Sequence, residues 1–78
     1  MIKRTEKLVI TFHTTTGAMA MEHSCKQEGL DGRLIPVPGT ISAGCGLAWC
    51  AGLEYEATLR TCMDAHEIEF QGIYHCMI

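Results

Sequence analysis

Residues 7–29 read K-L-V-I-T-F-H-T-T-T-G-A-M-A-M-E-H-S-C-K-Q-E-G, and the change of period inside them decides the fold. Over 7–13 the pattern alternates. Leu8, Ile10 and Phe12 share one face, and Val9, Thr11 and His13 share the other, the two-residue period of a β-strand. Thr14, Thr15 and Thr16 follow, and each has a hydroxyl that can cap a helix start. Over 15–28 the period becomes helical, with Ala18, Met21 and Cys25 on one stripe at i, i+3 and i+7, and Gly29 supplies the stop.

Working outward, Asp31-Gly32 makes a turn, and residues 33–37, R-L-I-P-V, read as a second strand. Pro36 has no amide to donate, which confines that strand to a sheet edge. A loop opens at Pro38 and runs to Gly44, and residues 46–51 read as a third strand. Residues 54–65 form a second helix, with Glu54 and Glu56 where the helix dipole favours acids and Tyr55, Leu59, Cys62 and Met63 on its apolar side. Residues 69–77 make a fourth strand, with Phe70, Tyr74 and Cys76 on one face and Ile73 on the other. The order β-α-β-β-α-β predicts an α+β, ferredoxin-like two-layer sandwich: a four-stranded antiparallel sheet with both helices on one face, as one domain over 1–78. Some of Val9, Ile35, Val37 and Ile73 fall on the open face and leave it apolar enough to suit a partner or a second copy of the chain, and Trp49 belongs either to that face or to the core.

The 78 residues are 47% apolar, enough for one small core. The net charge is −3 and the six basic residues are scattered, which argues against nucleic acid as a partner. The apolar run 8–12 is too short for a signal core or a membrane span, so the expected location is the cytoplasm. The five cysteines are then free thiols, and their odd number excludes a fully paired disulfide framework.

Residues 42–50, S-A-G-C-G-L-A-W-C, hold the chemistry. Gly44 and Gly46 flank Cys45, allowing a sharp backbone turn and an open sulfur. The predicted topology brings this loop to the end of the sheet where strand 1 enters helix 1, beside His13, Thr14, Thr15 and Thr16. A helix N-terminus favours negative charge and can bring a thiol down from its usual pKa of ~8.5. Cys45 is therefore expected to be exposed and ionised, with Thr14 to Gly17 as an anion cradle or an ordinary helix cap. His13 is a half-exposed strand residue or a base for Cys45. In an extended chain Cys50 lies roughly 16 Å from Cys45, too far for a disulfide, so a resolving role for Cys50 requires a coiled loop. C-x4-C without a second pair is poor zinc spacing, although His13 or His66 stands where it would complete a Cys-His set; no metal and no cofactor is expected. Cys25 and Cys62 read as small core residues.

The runs T-F-H-T-T-T-G-A-M-A-M-E-H-S-C-K-Q-E-G, G-R-L-I-P-V-P, I-S-A-G-C-G-L-A-W and E-F-Q-G-I-Y resemble those of the selenium/sulfur carrier-like family over nearly the whole chain. The resemblance implies that Cys45 is the central cysteine and that the threonines form the hydroxyl-bearing helix start. Where the family has basic residues, this chain has Gly39 and Cys50, so the site is less positive. The function implied is that of a carrier, with no turnover of its own. It would hold sulfur or selenium on Cys45 as a persulfide or perselenide, between donor and acceptor proteins. The competing expectations are a small-ligand or regulatory module that dimerises through its open face, and a thiol oxidoreductase using Cys45 and Cys50.

Overall fold

Residues 8–12 are fully buried, side chains of both faces included. They belong to β1 (Glu6–Thr11) and its exit, and β1 is hydrogen-bonded along both edges. The computed structural model describes residues 5–77. After β1 come α1 (Thr15–Glu28), β2 (Arg33–Pro36), β3 (Leu47–Ala51), a 3-10 turn at Leu53–Tyr55, α2 (Glu56–Ala65) and β4 (Gly72–Met77). The strands form one antiparallel sheet in the order β2-β3-β1-β4, the ferredoxin-like order, with β2 and its Pro36 at an edge.

Leu8, Ile10 and Phe12 face the helices and join Ala18, Met21 and Cys25 of α1 and Leu59 and Met63 of α2 in one core. Each large side chain removed from water there contributes about 1.5–3 kcal/mol. Trp49 lies in this core, which settles the choice left open above. Ile73 packs against the same core and so does not belong to the open face. On that open face Val9, Thr11 and Ala48 are already covered within the chain, leaving less apolar surface than the alternation suggests. Tyr74, paired with Val9, is its prominent exposed ring at 38%. Met21 is buried, whereas Met19 is exposed.

Local chemistry explains the element ends. Thr14 is the N-cap of α1, its hydroxyl accepting from the Gly17 amide at 3.2 Å. Gly29 takes the left-handed conformation, φ 68°, and closes the helix. β4 starts later than expected because residues 69–71 are used otherwise. The Glu69 carbonyl packs on Gly17, and the Gln71 amide donates to the Thr11 carbonyl at 2.6 Å. Gly32, at φ 140°, lies under the Trp49 ring, and a Cβ there would stand 2.5 Å from Nε1. Gly32→Ala is expected to cost about 1–3 kcal/mol, read from denaturant unfolding.

His75 and Glu56 tie β4 to α2 at 3.0 Å, and Arg60 also binds Glu56, at 3.1 Å. Hydrogen bonds from His75 and then Arg60 hold the Glu56 carboxyl below its ordinary value of 4.5. A depressed carboxyl stabilises the fold above the unfolded value, and that contribution disappears as pH falls through the folded one. The melting temperature should therefore fall on acidification below about pH 4.5. Glu56→Gln should show a shallower fall, and equal slopes in the two proteins would refute the assignment.

Candidate functional site

At the end of β1 the chain leaves the ladder, and the Phe12 carbonyl accepts a hydrogen bond from the Cys45 amide at 3.2 Å. This bond draws the β2–β3 loop onto the start of α1. Thr15, the first residue of α1, brings its hydroxyl to 3.7 Å from the Cys45 sulfur. From the other side the Leu47 amide donates to the sulfur at 3.3 Å. The first turn of α1 contains no acidic residue, so nothing there offsets the positive end of the helix dipole.

The two flanking glycines do different jobs. Gly44 lies so close to His13 that a Cβ would meet the His13 carbonyl at 2.8 Å, so only glycine fits. Its amide donates to the Gln71 side-chain oxygen at 2.8 Å. Gly46 faces open space, and its carbonyl accepts from Val37 at 3.1 Å. Sequence reasoning missed Gln71. The signal available was a lone amide side chain one residue ahead of β4, which alternation does not score.

The expected openness of Cys45 is corrected by its environment: the residue is only 6% exposed and joins the core. The reason is register. Thr11 pairs with Ala48, and side chains alternate along β3, so Leu47, Trp49 and Ala51 point at the helices. Cys45 continues that odd-numbered row beneath the start of α1. Cys50 falls on the opposite face, paired with Val9 and Arg33. The sheet thus separates the two thiols, and residues 47–51 are the strand that a resolving role would have required to be a loop. The thiol that Cys50 does influence is Cys76, which burial and then the nearby Cys50 push upward.

The remaining expected ligand residues divide around the helix start. Thr15 faces Cys45, whereas His13, Thr14, Thr16 and Gly17 line a cleft of about 250 Å³ with residues 66–69. Cys45 is not among the residues lining that cleft. His66 reaches the same end of the molecule, but its ring binds Glu28 at 2.6 Å.

A family model described as "Putative Se/S carrier protein-like" matches residues 7–75. The chain belongs to that family. No match emerges among curated proteins or solved structures. The family's description implies partner proteins in general. Among the described residues of this Se/S carrier-like chain, no helix is long and apolar enough to cross a membrane.

Gln71 fastens the loop that bears Cys45, and one neutral hydrogen bond is worth about 0.5–1.5 kcal/mol. Gln71→Ala is therefore expected to raise the alkylation rate of Cys45 between about 2- and 10-fold, followed by peptide mapping. An unchanged rate would show that the loop is not held there.

Proposed function

We propose that Cys45 is the carrying atom of a sulfur or selenium shuttle. The observation that carries this reading is the pair of groups converging on its sulfur, the Leu47 amide at 3.3 Å and the Thr15 hydroxyl at 3.7 Å, beside the uncompensated start of α1. Donors aimed at one sulfur stabilise negative charge on it and on a chalcogen bound to it. The family membership supports the same reading.

In loading, the Cys45 thiolate attacks the terminal sulfur of a donor's cysteine persulfide. A new S–S bond forms at Cys45, the donor's S–S bond breaks, and the donor cysteine leaves as thiolate. In unloading, an acceptor thiolate attacks the terminal sulfur and Cys45 leaves as thiolate, so one sulfur atom moves with no net oxidation. Selenium follows the same path through a perselenide. Burial of Cys45 in the resting chain protects the sulfur between encounters, and the loop bearing Gly44 and Gly46 must yield for attack. The reading requires donor and acceptor proteins as partners and a reducing compartment, the cytoplasm, to which five free cysteines are suited.

The second reading, a ligand-binding module, has one observation in its favour: the cleft of about 250 Å³ in front of α1. The two readings separate by mass. Incubated with a cysteine desulfurase and cysteine, the protein should gain the mass of one sulfur atom on the peptide containing Cys45, and Cys45→Ala should abolish the gain while Cys50→Ser keeps it. Sulfur on another cysteine, or on none, overturns the carrier reading.

A further inference from the structure

Away from Cys45, the two helices bring together residues that strand alternation cannot reveal. On α1, Cys25 and Glu28 stand at i and i+3. On α2, Cys62 and its C-cap His66 stand at i and i+4. Each pair occupies one helix face, and the faces meet. Ligand atoms of Glu28, Cys62 and His66 all lie within 4.8 Å of one another. The His66 Nε2 is 2.6 Å from Glu28 Oε2, and the Cys62 thiol donates to that same oxygen at 3.3 Å. Behind them lies Cys25, whose thiol is pushed up by burial and then by the neighbouring Cys62.

We propose that Glu28, Cys62 and His66, backed by the Cys25 thiol, form a binding site for a divalent cation, with Zn²⁺ the ion whose chemistry fits.

Three physical arguments carry it. First, the donor set is mixed sulfur, nitrogen and oxygen, which zinc accepts and hard cations such as calcium do not. Second, Zn–S of ~2.3 Å and Zn–N or Zn–O of ~2.0 Å in a tetrahedron place ligand atoms about 3.3–3.8 Å apart. The observed ligand atoms bracket that spacing, with 2.6 Å and 3.3 Å from Glu28 to His66 and Cys62 and all of them within 4.8 Å of one another. Third, Cys25, Glu28 and Cys62 lie in the last turns of α1 and α2, at the negative end of each helix dipole, which favours a cation. Access is open on one side, since the His66 and Glu28 side chains are 34% and 43% exposed, while the two cysteines are buried.

Without metal, the thiols carry their protons. Burial, with Cys62 and Glu28 nearby, pushes Cys25 up to about 12, and burial and then Glu28 raise Cys62. Zinc would take the place of these protons, each ligating thiol releasing one to solvent. In the neutral ring, Nε2 then faces the ion and Nδ1 keeps its hydrogen. This site uses none of the residues around Cys45 and is independent of the carrier reading.

The test uses reduced protein and the metal alone. Zn²⁺, titrated against a chromophoric chelator, should bind with one tight equivalent, and Co²⁺ should give a sulfur-to-metal charge-transfer band. The triple variant Cys45→Ala, Cys50→Ser, Cys76→Ser should retain both, which separates this result from any failure of the carrier reading. His66→Ala and Glu28→Ala, both on the surface, should each weaken Zn²⁺ at least about tenfold with unchanged circular dichroism. Cys62→Ser should remove the charge-transfer band. The site is overturned if wild-type protein binds no Zn²⁺, if His66→Ala binds it as tightly, or if the cobalt spectrum shows no thiolate band.

Discussion

The register between β1 and β3 is the constraint on which the rest depends. With Thr11 opposite Ala48, the three residues ahead of Ala48 must pass the exit of β1, and there the Phe12 carbonyl receives the Cys45 amide. A slip of one residue would turn every side chain of β3 to the other face. It would expel Trp49 from the core and move Cys45 away from Thr15. The site is thus not held by its loop. It is held by a central strand that the sheet grips along both edges and whose residues 8–12 are fully buried.

That same register sets two demands against each other at Cys45. Odd-numbered positions of this segment point at the helices, so proximity to the start of α1 comes with burial. A sulfur beside polar donors yet under an apolar cover is reactive only when the cover moves. Cys45 itself lies in a segment with no regular structure between Val37 and Gly46, fastened at Gln71, and such segments are the least costly to shift.

Sequence alone carried the elements well, because their signals are local. Threonine at 14, glycine at 29 and proline at 36 each act on backbone within a few residues of themselves, and each acts as expected. Alternation along 8–12 placed the core face correctly, since one period covers the whole strand. The strand order followed from the order of elements in so short a chain. Burial of Cys45 was illegible for a different reason. Flanking glycines were read as room for the sulfur, whereas Gly44 is small because His13 lies against it. That contact joins positions far apart in the chain and leaves no mark on either one. Gln71 and the meeting of Cys25, Glu28, Cys62 and His66 were hidden likewise, because each depends on how separate elements pack.

Trp49 has a consequence of its own. It is the chain's single tryptophan, wedged on Gly32, with its ring nitrogen lacking an acceptor among the described residues. An indole so enclosed emits at short wavelength and moves to the red when water reaches it. It stands on β3 four residues after Cys45 and in the same core. The molecule therefore contains an intrinsic optical gauge of the core that encloses Cys45, readable without any label.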